Sequence, residues 1–178
     1  MRDFRLYMLV GGMPQAVAAY IKTNNFTAVD LAKRDIISLY EEDFGKIDES
    51  GRAKAMYDTI PAQLSSNTMR YQISKAIPEE RVERIVNILK DMDDSKTVNI
   101  AYHCDDPNVG LALTKNQECF KMYASDTGLF VTLAFMDNEI TENVIYEKLL
   151  NDKLIGRQNL LFLFENETKE RFGYYLSG

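Results

Sequence analysis

Apolar residues recur at three- and four-residue spacing through most of the chain and predict helices there. The clearest stripe covers residues 27–44, and Gly45 is predicted to end that helix. Pro14 follows a Gly-Gly turn, a position that suits the first residue of another helix. We therefore expect a helical N-terminal segment over residues 1–48, ending at a polar, glycine-containing stretch.

Helical periodicity resumes at Arg52 and predicts three further helical pieces. The first has an apolar face between Ala53 and Leu64, and the second is a short turn that Ser74 caps. The third opens at Pro78. Its buried side is predicted to hold Val82, Ile85, Val86, Leu89 and Met92.

Strand patterns follow these helices. Two strands are predicted over residues 98–103 and 111–113, joined by a turn at 105–108, and a third over residues 119–123. A helix, a helical turn, a helix and then a stranded wing follow one another in the order of a winged helix-turn-helix. The pattern therefore predicts a winged-helix-like domain over residues 49–136.

The remaining residues, 137–178, form a third predicted part. Asp126 is predicted to cap a helix just before this part, and Thr141 to cap one within it. Two apolar runs, 160–164 and 172–176, flank a polar turn and predict a C-terminal β-hairpin. The expected fold class is therefore α+β and mainly α-helical.

Charge and composition narrow the classes of function. The 178 residues include 21 basic and 27 acidic residues, and the net charge of -6 disfavours a non-specific hold on nucleic-acid phosphates. No stretch supplies the roughly 20 apolar residues that a membrane span requires. With only 2 cysteines, a reducing compartment is the simpler assumption, and we expect a cytoplasmic location without membrane contact.

Candidate chemistry is sparse. His103, Cys104 and Cys119 are too few and too scattered for a structural zinc site, which normally has four ligands. The Asp126-Thr127-Gly128 triplet occurs once, whereas aspartic proteases need two such loops. A nuclease needs converging carboxylates, and the one Glu-x-Lys, at residues 167–169, fits a solvated turn better. We predict no catalytic, cofactor-binding or metal site, and therefore no enzyme.

Two groups of residues are candidates for binding. The region of the predicted recognition helix supplies candidate nucleic-acid contacts, namely Arg70, Lys75, Arg81, Arg84 and Lys90. Acidic residues alternate with them, so a protein contact is favoured over DNA. Near the C-terminus, Leu161, Phe162 and Phe164 belong to a run too apolar for an exposed hairpin. That run predicts burial or self-association.

Several motifs, taken together and in order, carry a resemblance to a known family. They are the stretch from Tyr7 to Pro14, Ile60-Pro61 with Gln63-Leu64, Asp106 to Val109, Phe120 to Tyr123 with Asp126 to Leu129, and Thr141-Glu142-Asn143. Over residues 5–154 the chain resembles the accessory region of unknown function that follows the ATPase domain of prokaryotic AAA-type ATPases. The resemblance implies three parts in series: a P-loop ATPase, a helical and winged-helix middle, and a nuclease-like domain.

This chain resembles the middle part alone. It has no Gly-x4-Gly-Lys-Ser/Thr loop to cradle nucleotide phosphates, and from about Ile155 onward the likeness stops. The resemblance implies a truncated or split gene product, or a self-contained descendant of the family. We expect a non-catalytic interaction module that serves an ATPase domain in trans, and the alternative is a winged-helix DNA-binding module.

Overall fold

The computed structural model describes residues 2–66, 68–104, 106, 114–151 and 174–175. These residues form an α+β fold that is mainly α-helical, as expected. The helices are α1 (Arg2–Val10), α2 (Pro14–Thr23), α3 (Phe26–Ile47), α4 (Arg52–Asp58), α5 (Ile60–Ser65), α6 (Ile73–Ala76), α7 (Val82–Asp94), α8 (Thr127–Ala134) and α9 (Asn143–Asn151). The strands are β1 (Val98–Cys104), β2 (Lys115–Ala124) and β3 (Tyr174–Tyr175).

The described residues divide into two compact units. The first unit contains residues 2–42 and 126–151, and the second contains residues 43–125 and 174–175. Each unit buries its own set of apolar side chains. The three-part division predicted from sequence stays a prediction, because compactness alone does not test which segments fold independently.

In the first unit, α1 packs against α2, α8 and α9. Buried side chains from these helices and α3 include Met8, Val29, Leu129 and Tyr146. Burying an apolar side chain of this size contributes about 1.5–3 kcal/mol, so this cluster stabilises the unit. Helix α1 was not predicted, because the apolar run before the Gly-Gly turn is too short to show a clear period.

Helix α3 contradicts one expectation. Gly45 lies inside the helix and is exposed, whereas we predicted that it would end the helix. An exposed helical glycine costs only about 1 kcal/mol relative to alanine, so the turn continues to Ile47. Helix α2 does begin at Pro14, as predicted.

The helices of the second unit correct three details. The predicted helix from Arg52 is split at Thr59, just before Pro61, into α4 and α5. Ser74 lies within α6, whose N-cap is Gln72. Pro78 lies before α7 and does not open it.

Helix α7 starts at Val82 because the backbone before it leaves the helical region. Glu79 adopts a φ of 64°, which interrupts any helix continuing from Pro78. The buried face also differs from the prediction at three positions, since Ile88 is buried, Val86 is exposed and Val82 is only half-buried. Ile85, Leu89 and Met92 are buried as predicted.

The second unit contains a sheet in the order β2-β1-β3. Strands β1 and β2 are antiparallel, and β3 pairs with β1 in parallel. The predicted strands 98–103 and 119–123 are confirmed within β1 and β2. The predicted strand 111–113 and the run 160–164 of the C-terminal hairpin lie outside the described residues.

Helix α7 packs against β1, α4 contacts α5, α6 and α7, and α5 contacts β2. Two helical pieces, a short turn, a longer helix and an antiparallel strand pair thus follow one another along this unit. The winged-helix interpretation of that order stays a prediction. Among the helices that the structure describes, none has the length and apolarity to cross a lipid bilayer.

Candidate functional site

The predicted nucleic-acid contacts do not all lie together. Arg70, Lys75, Arg81, Arg84 and Lys90 are all exposed. A cleft of about 470 Å³ is lined by residues 70–74 and 80–83 and by Glu118, so only Arg70 and Arg81 of the five contribute to it. We refer to this feature of the second unit as the α6–α7 cleft.

Backbone and aromatic contacts fix one wall of the α6–α7 cleft to the sheet. The amide of Tyr71 donates to the carbonyl oxygen of Phe120 at 2.7 Å, and the two rings stack with centroids 5.7 Å apart. The Tyr71 hydroxyl donates to the Met56 carbonyl at 2.8 Å. Burial raises the pKa of Tyr71 well above its usual value, so this hydroxyl keeps its proton.

A pair of glutamines holds the next residue of the same wall. The side-chain amide of Gln63 donates to the Gln72 carbonyl at 2.7 Å, and its side-chain oxygen accepts from the Gln72 amide at 3.0 Å. Both backbone groups of Gln72 are thereby satisfied by one side chain of α5. The wall is therefore preorganised.

An irregularity in β2 brings Glu118 to the cleft. The register passes from Tyr102↔Phe120 to His103↔Asn116, so residues 117–119 have no partner on β1. The Glu118 amide donates to the side-chain oxygen of Asn116 at 2.9 Å, which closes the irregular segment as a local turn. Such bulges re-aim side chains, here a carboxylate beside Arg70 and Arg81 in the lining.

Charges of both signs line the α6–α7 cleft. Glu80 contacts Arg84 at 3.7 Å and Arg52 at 3.5 Å, so this carboxylate is already paired. Within the described part of the chain, Arg70 and Arg81 form no ion pair. Glu83 and Glu118 are exposed in the same lining. The cleft therefore offers separated positive and negative groups, which suits a partner surface carrying both signs better than a polyanion.

Asp48 and Arg52 fix the start of the second unit's helices. Arg52 donates to both carboxylate oxygens of Asp48, at 2.9 Å through Nη2 and at 2.7 Å through its backbone amide. The hydrogen bond from the Arg52 guanidinium holds the pKa of Asp48 well below its usual value, against the effect of desolvation. Arg52 thus connects the segment before α4 to Glu80 at the cleft.

The first unit contains a buried polar cluster that the sequence did not reveal. Lys33 is 0% exposed, and its Nζ donates to the Leu9 carbonyl at 2.9 Å, the Gly128 carbonyl at 3.1 Å and the Tyr146 hydroxyl at 2.9 Å. These bonds join α3 to α1, α8 and α9. Burial lowers the pKa of Lys33 to about 7.

Asp30 lies one helical turn before Lys33 and is also fully buried. Its carboxylate accepts from Arg34 at 2.7 Å, Thr132 at 3.0 Å, Tyr146 at 2.7 Å and the Thr141 amide at 3.1 Å. Burial would raise the pKa of Asp30, but these hydrogen bonds outweigh it and leave the pKa below its usual value. The charge is therefore fully compensated by donors.

Asp126 caps α8 as predicted, and it also holds the turn after α1. Its Oδ1 accepts from the Leu129 amide at 2.8 Å, and its Oδ2 accepts from the Gly12 amide at 2.6 Å. Gly11 has a φ of 83°, and a side chain there would collide with Asp126. The Gly-Gly turn, the Asp-Thr-Gly triplet and Thr141, three motifs of the resemblance, therefore meet around this buried cluster.

One signal in the sequence could have indicated this cluster. Asp30 and Lys33 lie between Val29 and Ile36 in the apolar stripe of α3, on the face that the periodicity predicts to be buried. Charged residues at such positions need buried partners. Most of their partners, Gly128 and Tyr146 among them, are more than 90 residues away along the chain, so the sequence pattern alone could not identify them.

Neither the two cysteines nor the apolar run near the C-terminus provides a further site among the described residues. Cys104 is buried and Cys119 half-buried, and neither forms a disulfide bond. Across the described ranges, no group of three or more histidine, cysteine and acidic residues could hold a metal ion. Leu161, Phe162 and Phe164, the predicted self-association surface, lie outside the described residues.

Comparison with known proteins gives one match. Residues 1–140 match the family model described as "Domain of unknown function (DUF8612)". No curated protein and no solved structure matches the chain.

Proposed function

This chain belongs to the DUF8612 family, and we propose that it is a non-catalytic interaction module that binds an ATPase domain in trans. The observation that carries the proposal is the α6–α7 cleft, a preorganised surface lined by charges of both signs. The ATPase partner is suggested by the resemblance of residues 5–154 to the accessory region of prokaryotic AAA-type ATPases.

The cleft has features that recur in protein interfaces. Arginine is enriched in such interfaces, and here the exposed Arg70 and Arg81 line one concave surface. The hydrogen bonds of Tyr71 and Gln72 to neighbouring elements hold the surface before a partner arrives. The carboxylates of Glu83 and Glu118 add the opposite charge, which favours specificity over simple attraction.

Charge reversal tests the proposal, and the chain offers a matched control. The double variant R70E/R81E changes two cations of the cleft, whereas K75E/K90E makes the same change in net charge outside the cleft lining. Wild type and both variants would be immobilised and exposed to lysate, with captured P-loop ATPases quantified by mass spectrometry. We expect R70E/R81E to lose about 10- to 100-fold of a specific ATPase signal and K75E/K90E to keep it. Equal capture by all three proteins would contradict the role of the cleft.

The alternative function is DNA binding by a winged helix, and a specific observation favours it. The order α4, α5, α6, α7 and the β1-β2 pair, with the five exposed cations named above, is compatible with a recognition helix at α7. Anisotropy titration with duplex DNA would detect it. DNA binding requires an affinity that falls steeply with salt and is weakened by both double variants. An affinity indifferent to salt would exclude this alternative.

A further inference from the structure

Lys33 is a buried cation whose three hydrogen-bond acceptors are all neutral. Two are the carbonyl oxygens of Leu9 and Gly128, and the third is the hydroxyl oxygen of Tyr146. The side chain is 0% exposed, and its Nζ lies 4.7 Å from the centre of the Tyr146 ring. Neutral acceptors compensate only part of the lost hydration of an ammonium group.

Tyr146 connects this cation to a buried anion. Its hydroxyl oxygen lies 2.9 Å from Lys33 Nζ and 2.7 Å from Asp30 Oδ1. A phenol has one proton to donate. While Lys33 is an ammonium group, its N–H points at the phenol oxygen. The phenol proton then goes to Asp30 Oδ1, which is nearer and carries more negative charge than the Thr132 hydroxyl oxygen at 3.1 Å.

Charged and titratable groups face Lys33 from most of the surrounding elements. Asp30 and Arg34 belong to α3, Asp126 precedes α8, and Tyr146 belongs to α9, while α1 contributes the Leu9 carbonyl. Burial is the largest effect and lowers the pKa of Lys33 to about 7, although the carboxylates of Asp30 and Asp126 oppose it. Burial also raises the pKa of Tyr146 far above its usual value, so the phenol stays protonated.

We propose that Lys33, Tyr146 and Asp30 form a proton-responsive relay in the core of the first unit, in which loss of one Lys33 proton to solvent reverses the Tyr146 hydroxyl. The neutral amine keeps two N–H groups for the Leu9 and Gly128 carbonyls and gains a lone pair. The Tyr146 O–H then turns from Asp30 to that lone pair. No other proton is gained or lost.

Asp30 tolerates the loss of this donor because three others remain. Thr132 donates to Oδ1, while Arg34 and the Thr141 amide donate to Oδ2. The reversal therefore moves the hydrogen bond of the Tyr146 hydroxyl from the Asp30 carboxylate to the Lys33 amine. Because both of these residues belong to α3, helix α9 stays bonded to α3. In this way the protonation of one buried amine is transmitted to Tyr146 of α9, while the bonds of Lys33 to α1 and α8 are kept.

Nuclear magnetic resonance of the full chain tests the relay directly. Carbon-13 labels in lysine and tyrosine report the Lys33 Cε and Tyr146 Cζ shifts through a titration from about pH 5 to pH 11. The exposed Lys22 on α2 is the internal control. We expect Lys33 to titrate at least about two pH units below the ordinary lysine value of 10.5, and Tyr146 Cζ to shift with the same midpoint.

Two results would overturn the relay. One is a Lys33 midpoint at the ordinary lysine value of 10.5, and the other is a Tyr146 Cζ shift that does not change as Lys33 titrates. The variants K33M and Y146F assign the two signals. If K33M does not fold, K33R keeps a hydrogen-bond donor at this position and assigns the Lys33 Cε signal instead. The titration of the wild-type chain then still tests the relay.

Discussion

Single residues determine whether the turn after α1 can form. Gly11 adopts a φ of 83°, a region that favours glycine, and a Cβ at this position would overlap the carboxylate of Asp126. Gly128 is restricted in a different way, because a Cβ at this position would overlap the Val10 carbonyl. The Gly-Gly turn therefore serves a close backbone approach between the end of α1 and the start of α8.

Replacing Gly11 tests this restriction. We expect Gly11→Ala to lower the free energy of unfolding by about 2 kcal/mol or more, because both the backbone and the contact with Asp126 are strained. Gly45→Ala is the control, since Gly45 is helical with nothing within 4 Å of its added Cβ, and it should stabilise by about 0.5–1 kcal/mol. Urea unfolding of both variants measures the difference. A tolerated Gly11→Ala would show that the turn adapts.

The pH dependence of stability follows from Lys33. Below about pH 7 the amine is protonated in both the folded and the unfolded chain, so it adds no slope. Between about pH 7 and the unfolded value of 10.5, only the unfolded chain keeps the proton, so the free energy of unfolding rises with pH. The slope from this group approaches about 1.4 kcal/mol per pH unit.

Urea unfolding at several pH values measures this slope. We expect wild type to gain stability from pH 7 to 9 relative to K33M, and the exposed-residue control K22M to follow wild type. Parallel pH profiles for wild type and K33M would contradict the assignment of the slope to Lys33. The pH range stops at 9 because of a second group. Burial raises the pKa of Tyr146, so above about pH 10 only the unfolded chain loses this proton, and the free energy of unfolding then falls with pH.

At the scale of elements, helix starts and caps that depend on neighbouring residues were easier to predict from the sequence than contacts between distant residues. The cap of α8 by Asp126 and the start of α2 at Pro14 depend on neighbours in sequence, and both were correct. The start of α7 was wrong because residue types do not reveal the left-handed backbone of Glu79. The contacts of Lys33 could not be predicted at all, because they depend on how four helices pack.

Helix α7 provides a test of which face is buried. Ile88 is 6% exposed and Val86 is 38% exposed, although the sequence pattern favoured Val86 as the buried residue. Ile88→Ala should therefore destabilise the chain by about 2–4 kcal/mol, whereas Val86→Ala should change stability by less than about 1 kcal/mol. Chemical unfolding of the two variants decides between the faces. Equal losses would mean that α7 is buried on both sides.

At the scale of the whole molecule, the sequence predicted the fold class but not the site. The five candidate cations were chosen for their position around one helix, and only Arg70 and Arg81 line the α6–α7 cleft. The carboxylate of Glu118 reaches the same cleft through an irregular strand register, which no period in the sequence indicates. The net charge of -6 disfavours a non-specific hold on nucleic-acid phosphates.

Site-specific photo-crosslinking in cells tests the proposed interaction most directly. A photo-reactive amino acid would replace Ser74, an exposed residue of the α6–α7 cleft, so that Arg70 and Arg81 are kept. The same replacement at the exposed Lys22 of the first unit would serve as the control. We predict that the cleft position crosslinks to a P-loop ATPase and that the control position does not. Crosslinks from the cleft to DNA alone, or the same products from both positions, would contradict the proposed function.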